Sequence, residues 1–429
     1  MATEWTETTL GTVTDFLSGG TPSKDRADFW LGSIPWVSAK DMKRFRLDDT
    51  EDHVSEAGVA NGTKLVPTGT VLLLARGMTL LNDIPICITN RPMTFNQDVK
   101  ALRPRPNVRG DYLPYLLLGN KERLLSLVDL AGHGTGRLNT DELKALDIAL
   151  PPPPQQLAIA HILGTLDDKI ELNRRMSETL EAMARALFKS WFVDFDPVCA
   201  KAEGRDPGLP KSLASLFPAR LVESEMGDVP EGWEVKSLDE MARFLNGLAL
   251  QKHPPTDARS LPVIKIAQLR SGKTQGADRA SADLDQDYVV DDGDLLFSWS
   301  GSLECALWAG GTGALNQHLF KVTSAEYPQW LCYLGIHAHL DHFRHIAAGK
   351  ATTMGHIQRH HLSDARLAIP PRPLLDAMNV QISPMIESLW KRKVASLTLA
   401  VVRDALLPEL ISGDLRLREP ERFIGPAIV

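Results

Sequence analysis

Apolar residues recur with a helical spacing along one stretch that follows four consecutive prolines, Pro151 to Pro154. Prolines favour an extended backbone and oppose an earlier start, so we expect a helix from Gln155 to Trp191. At 1.5 Å per residue this helix would be roughly 55 Å long, which is more than one compact domain requires. The pattern therefore predicts a spacer helix.

A heptad repeat along this stretch predicts a partner helix, although either helix alone is also compatible with an ordinary core. A second apolar stripe follows the segment IPPRP at Ile369, so we expect an antiparallel pair. Pro384 should either kink this second helix or confine its regular part to the residues after the proline. Asn173 is expected either to fix the register of the pair or to lie at a frayed contact. The expected seam residues are Ile159, Ile162, Leu166, Asn173, Leu180, Leu187, Ile386, Leu389 and Leu397.

The chain contains one pattern twice, with a separation of about 220 to 228 residues. GTVLLLARG at Gly69 returns as GDLLFSWSG at Gly293, and FNQDVKAL at Phe95 returns as LNQHLFKV at Leu315. Earlier matches pair Trp5, Leu10, Phe16, Leu17 and Gly19 with Trp233, Leu238, Phe244, Leu245 and Gly247. Because the matches keep their order and each copy ends in a proline-led helix, we predict two homologous units.

Short β-rich runs between turn residues indicate that each copy is an α+β unit, with runs such as Val71 to Leu74 as core strands. We predict an α+β fold with two homologous α/β globular domains, separated by a long antiparallel helix pair (a coiled coil) in a pseudo-two-fold arrangement. The boundaries are 1–150 for the first domain, 151–195 for the first spacer helix, 196–230 for the linker, 231–369 for the second domain, 370–416 for the second spacer helix and 417–429 for the tail.

Bulk composition restricts the class of protein. A chain of 429 residues suits two to four domains, and neither a membrane span nor a signal peptide is expected from its apolar runs. Its four cysteines form no CxxC pair, so we expect a reducing, cytoplasmic setting. The net charge of −7 counts against a simple nucleic-acid binder. Basic residues are nevertheless in local excess between Lys100 and Arg137 and between His339 and Arg372.

Motifs for catalysis are weak. GHGTGR at Gly132 lacks the strand and helix that frame a nucleotide-binding loop; it is either a connector or a loop that approaches phosphate with Arg137. HIQRH at His356 lacks the glutamate of a zinc protease, and DELK at Asp141 is too short to identify a nuclease. We therefore expect neither a metal site nor a catalytic site in this chain.

Several longer segments resemble the specificity subunit of type I restriction-modification systems. They are IALPPPPQQLAIAHILGTLDDKIELNRR at Ile148, ALFKSWFVDFDPVCAKAEGR at Ala186, GDVPEGWEV at Gly227 and LLPELISGDLRL at Leu406. The two Asn-Gln pairs and LSGGTPS at Leu17 also fit, whereas the second copy has LNGLALQKHPP in place of the latter.

This resemblance implies two target-recognition domains that read the halves of a bipartite, asymmetric DNA target. The paired helices would act as a ruler and dock two modification (methyltransferase) subunits, which two restriction subunits join. S-adenosylmethionine, ATP and magnesium would belong to those partners, and this chain would hold no cofactor and catalyse no reaction.

Base reading requires Arg, Lys, Asn, Gln, Ser and Thr side chains on loops. The DNA-binding candidates in the first domain are Thr21, Ser23, Lys24, Lys40, Arg76, Asn96, Gln97 and Arg137. Those in the second domain are Lys265, Gln268, Ser300, Asn316, Gln317, Lys350, Thr352 and Arg359. Because Asn-Gln occurs in both copies, it could instead support the fold.

Two other classes remain open at this point. One is a protein-protein scaffold built on a coiled coil that binds no DNA. The other is a self-sufficient nuclease or methylase, against which the missing motifs argue.

Overall fold

The structure is a computed structural model that describes residues 5–131, 134–255, 259–349, 355–417 and 419–423. The chain divides into two compact units. The first comprises Met1–Asp168 and Leu399–Val429, and the second comprises Lys169–Thr398. Both boundaries fall within long helices, so each unit combines a globular domain with segments of those helices.

The first unit is rich in short strands. Its strands are β1 Thr6–Thr9, β2 Thr14–Ser18, β3 Ile34–Val37, β4 Arg46–Leu47, β5 His53–Val54, β6 Val71–Leu74, β7 Arg76–Gly77, β8 Ile86–Thr89, β9 Thr94–Phe95, β10 Val99–Pro104, β11 Val128–Ala131, β12 Thr135–Leu138 and β13 Asp147–Leu150. Its helices are α1 Leu10–Val13, α2 Glu56–Ala60, α3 Leu113–Gly119, α4 Lys121–Ser126, α5 Thr140–Ala145 and the first part of α6 Pro153–Phe188. Short 3-10 helices occupy Ala27–Phe29 and Met78–Leu81.

The main sheet of this unit has the order β2-β10-β6-β8-β4. Strand β6 lies inside the sheet and all of its residues are buried, which explains why its sequence is a continuous apolar run. Strands β11, β12 and β7 form a separate antiparallel sheet, and β3 pairs with β9 in parallel. Ile159 and Leu163 of α6 belong to the core of this unit.

The second unit repeats this arrangement. Its strands are β14 Leu221–Ser224, β15 Gly227–Pro230, β16 Glu234–Ser237, β17 Arg243–Asn246, β18 Ser260–Ile264, β19 Arg279–Ser281, β20 Val289–Val290, β21 Leu295–Ser298, β22 Cys305–Leu307, β23 Gly313–Leu315, β24 Leu319–Thr323 and β25 Arg366–Ile369. Its helices are α7 Asp196–Ala202, α8 Lys211–Ala214, α9 Leu238–Met241, α10 Ile266–Ser271, α11 Gln329–Ala348, α12 Arg359–Asp364 and the first part of α13 Arg372–Ser412. Short 3-10 helices occupy Leu250–Lys252 and Gln286–Tyr288, and a further one lies at Pro420–Phe423 in the first unit.

Strand order confirms the internal repeat. The order β17-β24-β21-β22 corresponds to β2-β10-β6-β8, and the parallel pair β18–β23 corresponds to β3–β9. Strands β16 and β25 pair as β1 and β13 do. The copies identified in the sequence therefore fold in the same way, and the expected α+β class is confirmed.

Both long helices are present, but their limits differ from the expectation. Helix α6 begins at Pro153, because proline is tolerated in a first helical turn where its missing N–H needs no partner, and a π-helical turn follows at Lys189–Val193. Helix α13 continues through Pro384, so the expectation that the regular part begins after this proline is wrong. Because proline has no backbone N–H, the carbonyl of Val380, four residues earlier, lacks its helical hydrogen bond. Both residues are exposed, so solvent lowers the free-energy cost of the missing bond.

Helices α6 and α13 pair in opposite directions. In the second unit, Asn173 Oδ1 accepts a hydrogen bond from Arg392 Nη1 at 3.3 Å, and Ser177 Oγ donates to the carbonyl of Leu389 at 3.5 Å. The later residue of α6, Ser177, contacts the earlier residue of α13, Leu389, so the two helices are antiparallel.

The expected seam residues differ in burial. Ile159, Asn173, Ile386 and Leu389 are buried, whereas Ile162, Leu166, Leu180, Leu187 and Leu397 are half-buried. Asn173, the expected polar residue of the seam, is buried, and the buried Ser177 adds a second polar residue that was not expected there.

Residues between the first long helix and the second globular domain are ordered. They form α7, α8 and the β14–β15 hairpin, and Val198, Phe217 and Val229 join the core of the second unit. None of the helices within the described ranges combines the length and the apolar character that a membrane span needs.

Candidate nucleic-acid interface

The repeated Asn-Gln pair forms a turn that both domains share. Asn96 is buried, and its Oδ1 accepts hydrogen bonds from the backbone N–H groups of Asp98 and Val99, both at 3.1 Å. Asn316 is buried in the same way and accepts from the N–H of His318 at 3.2 Å. Each asparagine thus accepts hydrogen bonding from the backbone of its own turn, which is a structural role.

The glutamines of the two turns differ. Gln97 is exposed, and its Oε1 accepts a hydrogen bond from the Thr21 hydroxyl at 2.7 Å. Gln317 is half-buried; its carbonyl accepts from Trp299 Nε1 at 3.0 Å, and its amide lies 3.4 Å from His318 Nε2. Only the first of these two side chains is fully presented to solvent.

A cation-lined cavity lies beside the first turn. Strand β12 pairs with β7 so that Arg137 and Arg76 are directly opposite, and both side chains are exposed. The cavity has a volume of about 300 Å³. Its lining side chains include Arg76, Gln97, Asp98, Lys100, Arg137 and Thr140.

Lys100 is half-buried in this cavity, and its Nζ donates to Ser18 Oγ at 2.6 Å. Burial lowers the pKa of Lys100, while the nearby Asp98 carboxylate acts in the opposite direction. Three cationic side chains and one carboxylate give the lining a positive charge, which suits a phosphate group.

The glycine-rich segment before Arg137 belongs to the β11–β12 hairpin. Gly134 has φ of +71°, a left-handed conformation that glycine adopts without strain. Gly132 and His133 lie outside the described residues. The described part of the segment, from Gly134, leads directly into β12 and its cavity-lining Arg137.

The second domain has different side chains at the equivalent place. Ser300 and His356 form an antiparallel bridge that corresponds to Arg76 and Arg137. The backbone N–H of Ile357 donates to the Trp299 carbonyl at 2.9 Å, as that of Leu138 donates to Ala75 at 2.8 Å, which supports the equivalence.

Aromatic and imidazole groups surround this second place. Ser300 is buried and its Oγ lies 2.9 Å from His318 Nδ1. The indole of Trp299 packs near the rings of His318 and His356, with centroid distances of 5.8 and 6.4 Å. Its Nε1 also donates to Asn246 Oδ1 at 2.9 Å. Rings and amides thus replace the guanidinium groups of the first domain.

Several predicted cations already have partners within the protein. Lys40 Nζ lies 3.1 Å from a Glu51 carboxylate oxygen and 2.9 Å from one of Asp52, and Lys265 forms an ion pair with Asp278. These carboxylates neutralise the charges that phosphate contacts would use.

The remaining DNA-binding candidates are Gln268, Ser23, Lys24, Arg359, Lys350 and Thr352. Gln268 Oε1 accepts from the Lys265 N–H at 3.3 Å at the start of α10. Ser23 and Lys24 are exposed in the loop before the first 3-10 helix, and the guanidinium of Arg359 lies 5.7 Å from the centre of the Phe320 ring. Lys350 and Thr352 lie outside the described residues.

Sequence reasoning did not select Lys100, Trp299, His318 or His356. The repeat could have identified two of them, because Lys100 and His318 follow the Asn-Gln pair within the aligned motifs. His356 could not be matched to Arg137 without the strand pairing, since the two copies differ in length before this point. Within the described ranges, no group of three or more His, Cys, Asp and Glu side chains could hold a metal ion.

Comparison with known families decides the identity of this fold. A family model described as the type I restriction modification DNA specificity domain matches residues 2–182 and 230–389. The chain belongs to this family. The two matched segments correspond to the two repeats, so the resemblance noted in the sequence is confirmed.

Curated relatives of this family match this chain over part or nearly all of its length. The type I restriction enzyme MjaIX specificity subunit of Methanocaldococcus jannaschii is 26% identical over 440 residues, which cover 97% of this chain and 94% of the relative. The EcoR124I/EcoR124II specificity subunit of Escherichia coli is 33% identical over 166 residues, which cover 38% of this chain and 41% of the relative.

Among solved structures, the type I restriction-modification S subunit from M. genitalium has the same fold. Its TM-score is 0.55 at 13% identity, and the match covers 95% of this chain and 96% of that structure. The chain is thus a type I specificity subunit, which is a non-catalytic component of its system. This excludes the self-sufficient nuclease or methylase.

Proposed function

We propose that this specificity subunit recognises a bipartite, asymmetric DNA target, with each globular domain reading one half-site. The observation that carries the proposal is the pair of equivalent places at Arg76–Arg137 and Ser300–His356. One fold presents two different sets of side chains there. A dimer of identical domains would require a palindrome, whereas two diverged copies can read unlike half-sites.

The long helices would set the gap between the half-sites. Helices α6 and α13 contain 36 and 41 residues, or about 54 and 62 Å at 1.5 Å per residue. One turn of DNA is about 34 Å long. Helices of this length are sufficient to hold two DNA-binding domains one turn of the duplex apart.

The same helices would dock two modification subunits, which two restriction subunits join. Large apolar side chains on them are exposed to solvent, including Leu172, Val380 and Val401 with exposed fractions of 48%, 69% and 68%. Single exposed apolar residues are ordinary on protein surfaces, so the docking is proposed from the family and not from these three side chains. S-adenosylmethionine, ATP and magnesium would be held by those partners.

The net charge of −7 supports cooperation with partners in DNA binding. Phosphate contacts require local positive charge, which this chain supplies in limited patches. We therefore expect the isolated subunit to bind DNA weakly and the complex with modification subunits to bind it tightly.

The test is a selection from random duplex DNA with the reconstituted complex, together with mapping of methylated bases in cells that carry the complete system. We expect one motif with two unlike halves and a constant gap. A parallel gel-shift series at matched salt compares the isolated chain with the complex.

Recovery of a palindrome would contradict the asymmetric target. Recovery of no motif would instead favour the scaffold that binds no DNA. Tight sequence-specific binding by the isolated chain would contradict the dependence on modification subunits.

A further inference from the structure

Two arginines of the first domain face each other, and neither forms an ion pair with a residue in the described part of the chain. Arg76 and Arg137 are direct cross-strand partners on β7 and β12. Directly opposite residues have Cβ atoms about 4.5–5.5 Å apart, and like charges in such pairs are destabilising. Asp129 is the neighbour of Arg137 on β11, yet among the described residues neither guanidinium is within ion-pair distance of a carboxylate.

The surroundings of this pair increase the positive charge. Lys100 lies in the same cavity, whose acidic group is Asp98. Burial lowers the pKa of Lys100, and an anion in the cavity would offset that effect. Guanidinium groups recognise phosphate through paired N–H donors, so a phosphate oxygen group fits this lining in charge and in hydrogen bonding.

The second domain provides an internal comparison. Ser300 and His356 replace the two arginines, and Phe320 stands at the position of Lys100 in the aligned motif. The nearby Arg359 is directed at its own domain, because its Nη2 donates to the Phe244 carbonyl at 3.4 Å and its guanidinium lies near the Phe320 ring. At the two positions equivalent to Arg76 and Arg137, the described residues Ser300 and His356 do not form a pair of guanidinium groups.

We propose that Arg76, Arg137 and Lys100 bind one backbone phosphate of the first half-site, and that Ser300 and His356 bind none. The inference rests on the proposed function and adds an unequal contribution of the two domains to the salt dependence of binding. A phosphate contact fixes the position of the domain on the duplex and carries no sequence information.

The test measures DNA affinity of the complete methyltransferase complex between 50 and 200 mM salt (roughly the range in which phosphate contacts dominate). In Arg76→Gln/Arg137→Gln, only the half-buried Lys100 remains at the phosphate, so the slope of log K against log salt should become shallower by up to about 1, the value for one lost phosphate contact. The measurement is made at about pH 8, where an ordinary imidazole is uncharged. Selection from random DNA should return the same motif as the wild type.

Three matched variants accompany the double substitution. Arg76→Lys/Arg137→Lys keeps the charge and should keep the wild-type slope. Arg123→Gln removes an exposed cation of α4 outside the cavity, and Ser300→Ala/His356→Gln removes the equivalent residues of the second domain. Both should leave the slope unchanged.

Each outcome bears on a different claim. An unchanged slope in Arg76→Gln/Arg137→Gln, or an equal decrease in Ser300→Ala/His356→Gln, overturns the phosphate assignment. A changed motif overturns it in favour of base reading. A lower thermal unfolding midpoint of the double variant assigns the arginines a structural role, since loss of like-charge repulsion should not destabilise the fold. Failure of the wild-type complex to select any DNA contradicts the proposed function itself.

Discussion

At the scale of single residues, a glycine of each domain lies in close contact with the backbone of the Asn-Gln turn. A Cβ atom at Gly19 would lie 2.1 Å from the Phe95 carbonyl oxygen, and one at Gly247 would lie 2.3 Å from that of Asn316. Both contacts involve backbone atoms that cannot rotate away. The glycines matched in the sequence are therefore required by the same close approach in each domain.

Gly19→Ala is expected to destabilise the first domain by about 2–3 kcal/mol, because the added methyl group must displace backbone. Urea unfolding followed by circular dichroism measures the change. Gly164→Ala is the matched control; its Cβ would meet only the Tyr115 hydroxyl, at 3.6 Å, and alanine within a helix should stabilise by up to about 1 kcal/mol. Equal effects of the two substitutions would contradict the steric argument.

At the scale of elements, buried polar groups connect α6 to each globular domain. In the first unit, Asp167 Oδ2 accepts from the Tyr115 hydroxyl at 2.9 Å, and its Oδ1 accepts from Arg403 of α13 at 2.6 Å. In the second unit, Glu181 accepts from the Tyr333 hydroxyl at 2.9 Å. Burial raises the pKa of both tyrosines, so they remain hydroxyl donors across the physiological range. Directional bonds of this kind fix the position of the helix along each domain.

The ion network of α6 predicts a pH dependence. Glu171 accepts from Arg174 at 2.5 Å and from Arg175 at 2.8 Å, and these bonds lower its pKa from 4.5 to about 2, with Arg174 contributing most. A carboxyl whose pKa is lower in the folded state stabilises the fold above pH 4.5 and loses that contribution as pH falls towards 2. Glu171→Gln should remove about 1–2 kcal/mol of this acid-sensitive stability.

Unfolding free energies measured between pH 6 and pH 2 (roughly the window in which carboxyl groups titrate) test this difference. Glu122→Gln is the control, since this exposed acid of α4 pairs with no cation among the described residues. The unfolding free energies of the wild type and of Glu171→Gln should become equal near pH 2, about the value to which the Glu171 pKa is lowered. Parallel curves for the two proteins throughout would contradict the role of Glu171.

At the scale of the whole molecule, we propose that function depends on the length of the helix pair. Residue number in α6 and α13 converts directly into length, because each helical residue adds 1.5 Å. Two domains of one fold with different side chains then need only a defined separation to read a split target. Loop insertions elsewhere should have no such consequence.

Inserting four residues into each long helix should lengthen the preferred gap between half-sites by about two base pairs, since about 6 Å of helix corresponds to roughly two 3.4 Å steps of DNA. Selection from random DNA with the reconstituted complex gives the gap directly. The same four residues inserted after Asp206, in an exposed turn between α7 and α8, form the control and should leave the gap unchanged. An unchanged gap in the helix variant would defeat the ruler.

Prediction of the candidate site from sequence was uneven. Arg76, Gln97 and Arg137 were selected as DNA-binding residues, and they line one cavity. Residue type and local pattern cannot show that Lys40 is neutralised by Glu51 and Asp52, because those carboxylates approach it only in the folded chain. For the same reason, the sequence offered a structural role for Asn96 only as an alternative to DNA binding.

The sequence by itself determined the α+β repeat, the proline-led helices and the family, since these depend on the periodicity and order of residues along the chain. Tertiary structure alone decided that Arg76 faces Arg137 and that His356 faces Ser300. It also placed Ser177 at a buried position of the helix pair, four residues after the Asn173 that the heptad pattern had already put on the seam. Strand register and helix contacts join residues far apart in sequence, and their free energies depend on partners that local patterns do not specify.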